Sequence, residues 1–134
     1  MQTLSKYKWP NTTILIAEHD KFTRDLLKML FKFTTSEIIE VLSADKLINE
    51  LNTNSNIKVV IINDCFDGQE SAEIINAYLH KFPEIHFIIC SSLSQINTFS
   101  WNNPQKVDVL GKPFSPRKLM HLIDIRIGSK KVIT

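Results

Sequence analysis

"VVIINDCFDG", Val59 to Gly68, runs four aliphatic residues straight into a polar cluster that closes on Asp67-Gly68. The apolar run has no helical period and reads as a buried strand, while Asp-Gly marks a turn. Downstream, "QESAEIINAYLHKF" carries Ala72, Ile75, Ala77, Leu79 and Phe82 among charges, as a half-buried helix would. The unit is therefore strand, polar turn, helix. Whether its polar residues make a reaction centre or only a turn depends on what the rest of the chain brings beside them.

The same unit recurs on both sides. "TILIA" (Thr13 to Ala17) is a first strand, followed by "EHDKFTRDLLKMLFKF", in which Phe22, Leu26, Leu27, Leu30 and Phe33 recur at helical spacing. "EIIEVL" (Glu37 to Leu42) is a second strand, and Ser43 is placed to cap "ADKLINEL". "HFIIC" (His86 to Cys90) is a fourth. "SSLSQINTFSWNNPQ" is weakly periodic and interrupted by Pro104, which predicts a short or irregular helix. "VDVLG" is a fifth strand, and in "SPRKLMHLIDIRIG" Ser115 is placed as N-cap, Pro116 at the first helical position and Gly128 past the end. Five strands alternating with about five helices predict an α/β fold: a parallel sheet covered on both faces, because parallel strands need crossover helices. Sites in such sheets lie at the carboxyl ends of the strands. Here those ends are Glu18-His19-Asp20, Asn63-Asp64, Ser91-Ser92 and Lys112-Pro113.

With 134 residues, 43% hydrophobic and 22% charged, the chain suits one globular domain. We place it at residues 12–127, with an N-terminal extension (1–11) and a C-terminal tail (128–134). The net charge of +2, with Lys130 and Lys131 read as solvated, predicts no nucleic-acid partner. No apolar run nears the roughly 18 residues of a spanning helix, and "MQTLSKYKWPNTT" lacks a signal peptide's apolar centre. A cytoplasmic protein with no membrane partner is expected. Cys65 and Cys90 follow no metal-ligand spacing and are read as reduced, small buried hydrophobes.

"ILIAEHDKFTRDLL", "FPEIHFIICSS" and above all "VLGKPFSPRKL" resemble the receiver domain of bacterial two-component response regulators, the CheY-like family. The resemblance covers about residues 12 to 127. It implies a single-domain, flavodoxin-like three-layer α/β/α sandwich with strand order 2-1-3-4-5. It also implies aspartyl phosphorylation from a histidine kinase, a Mg2+ ion, and a signalling module in place of an enzyme. Phosphoryl transfer to a carboxylate wants a nucleophilic aspartate, a cation held by further carboxylates, and a lysine on another phosphoryl oxygen. Lys112 matches the family's lysine and Ser91 its hydroxyl. Lys112-Pro113 could equally persist as a cis-proline turn, and Ser91-Ser92 as a cap.

The acidic positions depart from the pattern. The family's first strand ends in two acids; here Glu18 is followed by His19, a poor ligand for magnesium, and Asp20 comes one place late. The acceptor position is Asn63, whose amide cannot be phosphorylated as a carboxylate can. Asp64 is directed to the other side of the strand if the extended geometry continues. The following loop is short and lacks the family's Met-Pro pair, and Val109 replaces the aromatic switch residue. These departures favour a degenerate receiver acting by docking, through a face drawing on Trp101, Val109, Arg117, Met120 and His121. The alternative is a phosphorylatable receiver with Asp64 as acceptor and Glu18, Asp20 and Asp64 serving the metal. A small-molecule or flavin-binding flavodoxin-like protein is a third reading, but no phosphate-binding loop follows the first strand.

Overall fold

The computed structural model describes residues 7–92 and 104–128. The predicted irregular helix with Phe99 and Trp101, and Lys130 and Lys131 of the tail, lie outside them. Among these residues, seven strands and four α-helices follow in the order β1 (Thr13–Ala17), α1 (Lys21–Phe31), β2 (Glu37–Val41), α2 (Ala44–Thr53), β3 (Ile57–Asn63), β4 (Cys65–Phe66), β5 (Gln69–Glu70), α3 (Ser71–Tyr78), β6 (His86–Ser91), β7 (Val107–Gly111) and α4 (Pro116–Gly128). Five of the strands form one parallel sheet in the order β2-β1-β3-β6-β7, which is the 2-1-3-4-5 arrangement once the small hairpin β4-β5 is set aside.

Strand alternation divides the core into two layers. Leu15, Ala17, Val60, Ile62, Phe87 and Ile89 face α2 and α3, packing with Leu47, Leu51, Ile74 and Ile75. Ile14, Ile16, Val59, Ile61, Ile88 and Cys90 face α1 and α4, packing with Leu27, Leu30, Leu119 and Ile123. This α/β/α sandwich agrees with the fold the sequence implies. The second layer also takes in Tyr7 and Trp9, from the segment before β1, with the Trp9 ring 6.2 Å from Phe31 and its Nε1 donating to Asp124 at 2.9 Å.

Three expectations need correcting. Phe22 and Phe33 do not belong to the buried stripe of α1; Phe22 is 76% exposed, and the inward residues are Leu27, Leu30 and Phe31. Met120 cannot contribute to a docking face, because α4 turns Leu119, Met120 and Ile123 into the core and leaves Arg117 and His121 exposed. Cys65 is exposed, since in the two-residue strand β4 it is Phe66 that points inward. Cys90 is buried as expected, and that burial pushes its thiol up to about 12.

Candidate functional site

The carboxyl ends of β1, β3, β6 and β7 bring the sequence's polar clusters to one edge of the sheet, where alternation sorts them into two groups. Glu18, Asn63 and Lys112 continue the face turned to α1 and α4. Lys112 Nζ donates to Asn63 Oδ1 at 2.7 Å and to Glu18 Oε1 at 3.1 Å. Glu18 is buried, and its other oxygen accepts from the Asp20 amide at 3.0 Å. The Asn63 amide nitrogen donates to Cys65 O at 3.1 Å. Asn63 thus answers the lysine with its oxygen and the adjoining loop with its nitrogen. The Lys112-Pro113 bond is cis, and the Lys112 amide extends the β6-β7 ladder by bonding Ser91 O at 2.8 Å.

Asp64 and Ser91 form the second group. Asn63 pairs with Cys90, and the Asp64 amide carries the ladder one step further by donating to Cys90 O at 3.1 Å. Asp64 and Ser91 are therefore the next rung, on the face turned to α2 and α3, and Ser91 Oγ donates to Asp64 Oδ2 at 2.7 Å. The hydroxyl matched to the family pocket sides with Asp64, leaving Asn63 to the lysine. Sequence reasoning placed Asp64 on the opposite side from Asn63 but missed this partnership; the parity of Ser91 with Ile89 could have found it.

His19 has a role that the sequence did not disclose. The hairpin β4-β5 turns through Asp67 and Gly68, with φ of 55° and 74°, the left-handed pair that a two-residue hairpin loop requires and Asp-Gly suits. Its tip reaches across the sheet edge. The Asp67 amide donates to His19 Nε2 at 2.9 Å, Asp67 Oδ2 accepts from the Ala44 amide at the start of α2 at 2.7 Å, and the His19 ring stacks on buried Phe66 with centroids 4.9 Å apart. An imidazole nitrogen that accepts from an amide has its lone pair occupied, so His19 acts here as a clasp on the hairpin.

Asp20 is the N-cap of α1, its carboxylate accepting from the Thr23 amide and hydroxyl at 2.9 and 2.7 Å. The Thr23 hydroxyl and amide hold this carboxyl below its ordinary value. Arg24 ties the turn together through the carbonyls of Glu18 and His19. The three carboxylates that the sequence offers to magnesium are thus engaged separately: Glu18 by Lys112, Asp20 by Thr23, Asp64 by Ser91. Among the described residues no group of three His, Cys, Asp or Glu side chains is arranged to hold a metal ion. The residues present do not fit magnesium. Of the docking-face residues, Val109 is half-buried against the α2/α3 layer, Arg117 and His121 are exposed, and Trp101 lies outside the described residues. Among the described residues no helix is long and apolar enough to cross a membrane.

The sequence matches no family model and no curated protein. Solved structures do match. A receiver domain of a Francisella response regulator aligns over 90% of this chain and 99% of its own, with 21% identity and a TM-score of 0.74. The CheY-like receiver domain protein from Methanospirillum hungatei covers 90% of this chain and 96% of its own, at 16% identity and a TM-score of 0.77. The signal receiver domain of an HD-domain-containing protein from Pseudomonas fluorescens covers 89% and 96%, at 12% identity and a TM-score of 0.78. The chain therefore has the CheY-like fold of the response-regulator receiver domain.

Proposed function

We propose that this chain is a two-component receiver module with a degenerate phosphoacceptor pocket, which acts in phosphorelay signalling by docking to a histidine kinase or another signalling protein. The observation that carries the reading is the 2.7 Å bond from Lys112 Nζ to the Asn63 amide oxygen. At the end of the third sheet strand an amide occupies the position of the reacting carboxylate, and the lysine is already satisfied by it and by Glu18. An amide oxygen in that place is a poor nucleophile, and the partner-facing output would then be constitutive. Arg117 and His121 are the exposed members of the docking face among the described residues, beside half-buried Val109; Trp101 remains part of the proposal.

A second reading rests on the Ser91-Asp64 pair. A carboxylate beside a hydroxyl at a strand's carboxyl end is the arrangement in which Asp64 would accept a phosphoryl group and Ser91 would report it. Incubation with magnesium and acetyl phosphate, read by intact mass, separates the two. The first reading expects no adduct on the folded parent and an adduct once His19→Asp and Asn63→Asp are introduced together. An adduct on the parent that disappears in Asp64→Asn would establish the second.

A further inference from the structure

Helix α1 has a second apolar line besides the one it buries against the sheet. Among the described residues five large hydrophobic side chains are exposed. Three of them belong to α1 and the turn that leaves it: Phe22 at 76%, Met29 at 60% and Phe33 at 44%. With half-buried Leu26 they follow a spacing of four, three and four residues, which keeps all of them within an arc of about 60° on the helix surface. Lys32, just past the helix, keeps helical backbone angles, so Phe33 continues the line. Alternation of four and three is the seam spacing by which two helices pack side by side.

The charges beside this line are arranged by position. Asp25 stands toward one end and Lys32 toward the other, both exposed and both on the same side of the seam. The Lys32 ammonium has no partner among the described residues, where the residue makes only a main-chain bond to Met29 O. Asp25 holds Lys21 through Oδ2 at 2.8 Å in an open pair, 76% and 51% exposed, of the kind that is weak and easily shared. Its Oδ1 meets Lys28 only at 4.0 Å, and Lys28 is taken by Glu40 at 2.7 Å. That oxygen is open to a nearer cation.

These positions make the face complementary to itself. A second α1 running in the same direction would set Asp25 beside Asp25 and Lys32 beside Lys32. Running in the opposite direction, about a two-fold axis between Leu26 and Met29, it sets Phe22 against Phe33, Leu26 against Met29, and Asp25 near Lys32 of the other copy, each contact made twice.

We propose that this face binds a second copy of the chain through an antiparallel pair of α1 helices. The three exposed side chains offer roughly 350 Å2 per copy, at the small, transient end of protein interfaces. Association is therefore weak and set by concentration. The face uses neither the strand-end residues Lys112 and Asn63 nor the docking residues of α4, so its failure would leave the proposed signalling function as it stands.

The test is sedimentation of the full chain over a dilution series from near-millimolar to micromolar. The mean mass should rise from one chain toward two with concentration, and Phe22→Ala should weaken the association about tenfold. Asp25→Lys and Lys32→Asp should each weaken it, and the two together should restore it, because the exchanged charges again face each other across the two-fold. Urea unfolding at the micromolar end, where single chains prevail, checks that each variant folds; if Phe22→Ala does not, Met29→Gln takes its place. A single chain at every concentration, the result also expected if another part of the same chain covered the stripe, would overturn the proposal. So would a dimer indifferent to the loss of Phe22, or charge exchanges whose combination restores nothing.

Discussion

Lys112 holds an amide oxygen and a buried carboxylate at once, and the carboxylate depends on it. Glu18 has a 5% exposed side chain, and removing Lys112, its cationic partner among the described residues, would leave a charge stranded out of water. Losing one member of such a pair costs about 3 kcal/mol or more, chiefly through the charge left behind. Lys112→Met should therefore lower unfolding stability by about that amount in urea titrations. The double variant Lys112→Met/Glu18→Gln should recover most of it, and no recovery would mean that the ion pair is not what Lys112 supplies. Asp108 invites a pH experiment. Burial alone would raise its carboxyl, but hydrogen bonds from His86 and Arg126 and their charges outweigh burial and bring it to about 2. The folded value lies below the unfolded value of about 4, so this contribution is fully present above about pH 4 and is lost as pH falls through about 2. Asp108→Asn should flatten the acid limb of the stability profile over that window, leaving less acid sensitivity than in the parent. Single residues were also where the sequence was most informative about the pocket. Asn63, His19 and Lys112 could be placed from strand ends alone, whereas the pairing of Ser91 with Asp64 needed the register between β3 and β6, which no local pattern specifies.

At the scale of elements, α1 shows how periodicity misleads. Its apolar residues outnumber the positions that one face can bury, so a count of matches to helical spacing cannot tell which stripe faces the sheet. The structure buries Leu27, Leu30 and Phe31 and leaves Phe22 and Met29 outside. Leu27→Ala should cost roughly 3 kcal/mol, the transfer of a buried side chain plus the cavity left behind. Phe22→Ala should change stability by no more than about 0.5 kcal/mol. Chemical denaturation of the two variants checks the assignment, and comparable losses would show that Phe22 is covered. The hairpin β4-β5 escaped the sequence for a different reason: strands of two residues are shorter than any period they could display. Only Asp67-Gly68 announced it, and a turn signal does not say that the turn will be pinned by a histidine 48 residues away.

For the whole molecule, the sheet was legible because each strand is an apolar run bounded by turn residues and each is followed by a helical pattern. Chain order and the right-handed crossover rule then leave few arrangements. What was not legible is how far the domain extends. Tyr7 and Trp9 looked like part of an extension, yet both are buried in the α1/α4 layer, where the Trp9 ring meets Tyr7 and Phe31. Trp9→Ala should lower stability by about 3 to 5 kcal/mol. Calorimetry of the variant reads this directly, and a change under about 1 kcal/mol would mean that the segment merely rests on the core.

The bond from Trp9 Nε1 to Asp124 spans 115 positions of sequence and brings the segment before β1 and the last described helix within one side chain of each other. A chain so arranged lends itself to circular permutation. A short linker from α4 back to the segment that carries Trp9 would close the described body while new ends open at the turn by Asn54 and Ser55, and every layer of the sandwich would keep its neighbours.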